Sequence, residues 1–162
     1  MAVAPKKILK VGKSRISIGA MTTDVSLAGF KADTYTPIGG IRNLGNSGTT
    51  YQAINVEEID DGMVRKGKGV GNPGSQPITM SRRPSDAGQL ALIEASRADD
   101  AFNFRIEEPA GGGKWKVTYV TALVMGRENG RGGPNDTQTL VSTLELTEEP
   151  IEDPTLADAL AA

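Results

Sequence analysis

The stretch Gln76 to Glu107, QPITMSRRPSDAGQLALIEASRADDAFNFRIE, constrains the fold most, because its hydrophobic period switches twice. Ile78 and Met80 alternate with Thr79 and Ser81, the period-two pattern of a strand with one buried face. Arg82 and Arg83 end that run. Pro84 cannot donate to a ladder, Ser85 or Asp86 can accept hydrogen bonds from the free N–H groups of a new helix, and Gln89 follows Asp86 at capping-box spacing. One α-helix is therefore expected over about residues 86–98. Leu90, Ile93 and Arg97 share one side of it, Ala87, Ala91 and Leu92 widen the apolar stripe, and Gln89, Glu94 and Ser96 are expected to face solvent. Asp99 and Asp100 bring negative charge to its C-terminal end, which the helix dipole disfavours. Phe102, Phe104 and Ile106 then alternate with Asn103 and Arg105, so a second strand begins almost at once.

The chain around this unit has 162 residues, one domain's worth, enough to bury a core without covalent staples. It has no cysteine and no histidine. That removes disulfides, thiolate nucleophiles, imidazole bases and the commonest zinc ligands; no cofactor and no metal site is expected, and carboxylates, hydroxyls and lysines remain as possible catalytic groups. A net charge of −2 gives no global field toward nucleic acid or an anionic membrane. The charge is unevenly placed. Lys6, Lys7, Lys10, Lys13 and Arg15 make the start basic, and Glu145, Glu148, Glu149, Glu152, Asp153 and Asp158 make the end acidic. Such ends are either ordinary solvated termini or surfaces that attract one another between neighbouring copies. No apolar run approaches the ~20 residues of a membrane span, and no signal peptide is evident, so a cytoplasmic site of synthesis is expected.

In chain order, residues 1–15 read as an arm, with a first strand from Arg15 to Ile18. Thr22 to Asp33 fits a strand, a turn or a helix. Thr50 to Ile59 is a strand with Gln52, Ile54, Val56 and Glu58 on one face, opposite Tyr51, Ala53 and Glu57. Asp60 to Ser75 carries Gly62, Gly67, Gly69, Gly71 and Gly74 with cations between them, and is expected to be a long loop of the kind that is functional or disordered. Gly69, Gly71 and Gly74 match the dinucleotide-binding spacing, yet a lysine-rich segment precedes them and Asn72-Pro73 interrupts them, where the fingerprint needs a buried strand and an opening helix. After a glycine turn, Trp115 to Met125 is the longest apolar strand, and apolar residues on both of its faces imply cover on both. Thr137 to Leu146 is the last strand, with Leu140, Leu144 and Leu146 inward. A short helix is expected over Thr155 to Leu160 in the acidic tail. The sum is a mainly β fold: a two-sheet antiparallel β-sandwich or barrel-like domain over residues 16–146 with one flanking helix, followed by a tail at 147–162.

Two chemical readings compete with a purely structural one. The first is a nucleic-acid-binding β-module using Arg65, Lys66 and Lys68 with Arg82 and Arg83, but no aromatic residues are interleaved with those cations for base stacking. The second is a carboxylate hydrolase. Asp60-Asp61 and Asp99-Asp100 are paired acids, and adjacent residues on an extended chain point to opposite faces, so a dyad would need the two turns side by side.

The order of elements resembles the major tail tube proteins of long-tailed bacteriophages, the lambda-like tail tube family. The resemblance lies in the Val56-Glu57-Glu58 strand before a glycine-containing loop, the strand Pro77 to Ser81, and the helix around Asp86, Gly88, Gln89 and Leu92. It continues through Asp100, Phe102, Arg105 and Ile106, the strand Val117 to Met125, and Val141 to Leu146. It implies a non-enzymatic virion protein, made in the host cytoplasm, that forms hexameric rings stacked into a tube for DNA ejection. Its implied partners are itself, the tape-measure, tail-tip and tail-terminator proteins, and double-stranded DNA in transit, with no membrane. A 60–76 assembly loop and the N-terminal arm would then contact neighbouring subunits, which makes Lys6, Lys7, Lys10, Asp60, Asp61, Arg65, Lys66 and Lys68 the contact candidates. Glu57, Glu58 and Glu145 are candidates for the channel wall, where negative charge would keep DNA from sticking.

Overall fold

The computed structural model describes residues 8–60, 62–155 and the backbone of 157–158. Lys6, Lys7 and Asp61 lie outside the described residues. The fold is mainly β and antiparallel. One continuous sheet runs in the order β2-β1-β7-β8-β10-β6-β3, where β1 is Arg15–Met21, β2 Thr36–Pro37, β3 Ile41–Asn43, β6 Ser75–Ser81, β7 Phe102–Gly111, β8 Lys114–Val124 and β10 Thr139–Leu146. Two helices attach to it, α1 (Leu27–Ala32) and α2 (Ala87–Ala95). A separate two-stranded sheet pairs β4 (Thr50–Glu57) with β5 (Val64–Asn72).

Register explains why one core forms. Ile16 lies opposite Ile106 and Ile18 opposite Phe104, Phe104 opposite Val120, Leu144 opposite Val124, and Leu140 opposite Met80. All these side chains therefore share one face of the sheet. They join Ile78, Leu92 and Ala95 in a single buried cluster, so the sheet curls around its own apolar face and α2 fills the remaining opening. Each such side chain removed from water contributes about 1.5–3 kcal/mol.

The other face of β7 and β8 is covered as well, which the two-sided apolar pattern of β8 anticipates. Helix α1, resolved from the ambiguous Thr22–Asp33 stretch, places Phe30 on Tyr119 with ring centroids 5.4 Å apart and planes 10° from parallel. Val117, Leu27, Tyr35 and Ile151 complete this smaller cluster. Burial pushes the Tyr35 hydroxyl well above its ordinary range, and it donates to the carbonyl of Phe30 at 2.9 Å. Beside it Glu107, almost wholly buried, pairs with Arg15 at 3.2 Å and Arg105 at 3.0 Å.

Four expectations need correction. The stretch Asp60 to Ser75 is not an irregular loop, because most of it is β5, whose backbone groups pair with β4. Gln89 does not face solvent: it is fully buried, while Leu90 is half exposed. The reason is polar. The Gln89 amide nitrogen donates to the carbonyls of Gly39 (2.9 Å) and Ser81 (2.8 Å), and its oxygen accepts from the N–H of Arg83 (2.9 Å), satisfying backbone groups that the turn before α2 leaves open. The helix itself begins as expected, with the Asp86 carboxylate accepting from the N–H of Gln89, but it ends at Ala95 rather than near Ala98. In the tail, β11 (Ile151–Glu152) and β12 (Ala157–Asp158) continue along the open edge of β8, so 157–158 is strand where a helix was expected. Lys116 pairs with Glu152 at 2.7 Å and Lys31 with Asp153 at 2.8 Å, so part of the acidic end is neutralised within the chain.

Candidate assembly surfaces

The β4–β5 hairpin is the one large element with no cover among the described residues. Every residue of β4 is exposed, and so is all of β5 except the half-buried Gly69. The chain reaches it by running beside β6, where Leu44 accepts a hydrogen bond from the Gln76 side chain, and then departs from the body as β4. Both strands pair only with each other. An isolated two-stranded ribbon is marginally stable in water, so such an element asks for a partner.

Its two faces differ. A bulge between Tyr51 and Ala53 sets the register so that Ile54 lies opposite Gly67 and Val56 opposite Arg65. On that face Ile54 lies over Gly69, where an added Cβ would come within 3.1 Å of the isoleucine side chain. Glycine here lets an apolar side chain lie flat on the ribbon. The opposite face carries Tyr51, Ala53, Asn55 and Glu57 beside Val64, Lys66 and Lys68, and the Lys68 ammonium sits 3.4 Å from the centroid of the Tyr51 ring. The tip exposes Glu58, Ile59, Asp60 and Met63.

The candidates named from sequence thus separate into groups. Glu57, Glu58, Asp60, Arg65, Lys66 and Lys68 are all on the hairpin, and Lys10 is exposed in the segment before β1. Glu145 is half-buried and lies opposite Ser75 at the hairpin's root, so the structure does not bring it together with Glu57 and Glu58. Arg82 and Arg83 follow the far end of β6 from that root, so they form no single basic patch with Arg65, Lys66 and Lys68. Asp60 is exposed beyond the end of β4 and Asp99 and Asp100 lie between α2 and β7, and no cluster of three or more acidic residues placed to hold a metal occurs among the described residues. No described helix is long and apolar enough to cross a membrane. Sequence reasoning placed Ile54 and Val56 on one strand face but missed the set of exposed apolar residues they belong to: Ile54, Val56, Ile59, Met63, Val64 and Val70. The signal was present as alternation without any partner stripe.

Solved structures of similar fold are known. The SPP1 tail tube aligns with a TM-score of 0.60 at 14% identity, covering 89% of this chain and 78% of that one. The chain has a tail-tube fold. A chain of the anti-feeding prophage baseplate aligns with a TM-score of 0.68 at 10% identity, over 93% of this chain and 97% of that one. A chain of the PVC sheath/tube terminator, from an extracellular contractile injection system, aligns at 0.65 and 15% identity over 93% and 99%. No family model matches the sequence, and no curated protein matches it significantly.

Proposed function

We propose that this tail-tube-fold chain is a structural subunit that builds a tube from copies of itself. Rings of six copies stack into the tail of a virion, around a tape-measure protein and between tip and terminator proteins, and leave a channel for double-stranded DNA. The observation that carries this reading is the hairpin: a fully exposed ribbon presenting six apolar side chains on a body whose own core is complete. Burying each in a neighbouring copy would return up to about 1.5–3 kcal/mol. Association costs about 4–15 kcal/mol in lost freedom, so six such side chains are of the size needed to offset it. Because donor ribbon and receiving surface differ, the contact is heterologous and propagates as rings and stacks instead of closing as a dimer. Lys10, Asp60, Asp61, Arg65, Lys66 and Lys68, with the arm bearing Lys6 and Lys7, belong to these contacts in this reading. Glu57, Glu58 and Glu145 remain channel-wall candidates. If Glu57 and Glu58 are instead buried between subunits, they leave the wall.

The test is excision. Replacing Thr50–Asn72 by a short glycine-serine linker is expected to leave a folded monomer, with the melting transition of the parent, that forms no rings or tubes by negative-stain microscopy at any concentration. Normal tubes from the excised protein would overturn the proposal, as would a parent protein that stays monomeric at high concentration and in the presence of a tail-tip extract.

A further inference from the structure

At the end of the body opposite the hairpin root, three arginines from distant parts of the sequence converge. Ser75 and Glu145 mark the root end of the β6–β10 pair, and Ser81 and Thr139 mark the other, about 20 Å away for strands of this length. There Arg82 and Arg131 line a groove of about 210 Å³ floored by Gly130, Gln138 and Thr139. Arg42 adjoins it: its Nε donates to Ser81 Oγ at 2.9 Å and its Nη2 to Thr137 Oγ1. Arg82 donates to the oxygen of buried Gln89 at 3.3 Å. The fixing partners are neutral. Among the described residues no carboxylate lies within ion-pair distance of any of the three, whereas Arg15, Arg105 and Arg97 each have a glutamate. Hydroxyls and an amide hold two of the guanidinium groups in place, and none of the three is ion-paired with a described residue. That is the preparation a carboxylate-binding fork requires.

We infer that this arginine groove is the receptor for the acidic hairpin tip of a second copy, with Glu57, Glu58 and Asp60 as the incoming carboxylates. The inference rests on the tube reading above and names the surface that reading left open. The tip exposes those three carboxylates, and the hairpin is rooted at the end of the β6–β10 pair away from the groove. With the ribbon extended beyond its root, a head-to-tail stack of copies in one orientation brings the tip of each to the groove of the next. Arginine suits this contact over lysine because its planar fork engages carboxylates through two parallel hydrogen bonds and is weakly hydrated.

Charge reversal tests it. Changing Glu57, Glu58 and Asp60 to Lys, or changing Arg42 and Arg131 to Glu, should each raise the concentration needed for tube formation by about tenfold or more. Combining both sets in one chain should restore assembly, because the pair is complementary again. Arg82 stays unchanged in these variants to preserve its bond to Gln89, and Arg131→Glu alone serves if the double arginine variant does not fold. Tubes at parental concentration from either single set would overturn the inference, as would failure of the combined, folded variant to recover. Both outcomes leave the tube reading intact, because that reading is tested separately, by excision of the hairpin and by whether the parent assembles. A third arm titrates a labelled DNA duplex. Binding that disappears with Arg42→Glu and Arg131→Glu, while tube formation is unaffected, would reassign the groove to phosphate and overturn the inference.

Discussion

Strands β4 and β10 are eight residues each, TYQAINVE and TLVSTLEL, and both carry apolar side chains at two-residue spacing, Ile54 and Val56 in one and Leu144 and Leu146 in the other. Their fates are opposite. Every second residue of β10 is buried, and none of β4 is. The difference lies in what stands across from them: β10 sits between β8 and β6 above a core closed by α2, while β4 has only glycine-rich β5. Period-two alternation thus reports that a strand has an apolar face, and says nothing of whether that face is satisfied within its own chain. In the tube reading proposed above, the unsatisfied strand is the one that carries the assembly.

The comparison can be broken first at the core. Phe104→Ala, at a fully buried position on β7, is expected to cost about 3–5 kcal/mol in a denaturant titration of the monomer. A loss under 1 kcal/mol would mean the body is not the rigid half of the pair. Next comes the polar hub. Gln89→Leu keeps the volume but strands the carbonyls of Gly39 and Ser81 and the N–H of Arg83, and should cost about 3 kcal/mol, whereas a solvent-facing glutamine would tolerate the change freely. Gly88→Ala should follow at about 1–3 kcal/mol, since a Cβ there would come within 2.6 Å of the Ile38 backbone where α2 packs on the chain after β2.

On the ribbon the same measurements should read close to zero. Ile54→Ala with Val56→Ala is expected to move monomer stability by no more than about 0.5 kcal/mol while weakening assembly sharply, a split that light scattering and a denaturant titration resolve together. A large loss of monomer stability would show that the hairpin folds back on the body in solution. The smallest effect is at the tail. The Lys31 ammonium, and then the Thr155 N–H, hold the Asp153 carboxyl below its ordinary value, and Asp153 in turn raises Lys31. A depressed carboxylate stabilises above its unfolded value of about 3.9, and that contribution is lost as pH falls through its folded value. Asp153→Asn should therefore change melting temperature slightly at neutral pH and not at all at the acid end of the range.

Much of the body was legible because its signals are local. The switch of period across residues 76–107, the cap at Asp86 and the inward leucines of β10 each need only neighbouring residues to be read. Three features were not legible. The glycine-rich stretch looked like a loop, because strand propensity is low for glycine and only pairing with β4 makes it β5. Gln89 looked solvent-facing, because its partners Gly39 and Ser81 come from other elements. The arginine groove left no trace, since Arg42, Arg82 and Arg131 are adjacent only once β3, β6, β9 (Glu128–Gly130) and β10 align.

By itself the sequence determined the class of the fold and the faces of its strands, since both follow from the spacing of apolar residues along a chain whose backbone geometry is fixed. Only the tertiary structure decided which of those faces is covered. Burial depends on what lies across several ångströms of space, and the register that brings distant residues there is a property of the whole sheet.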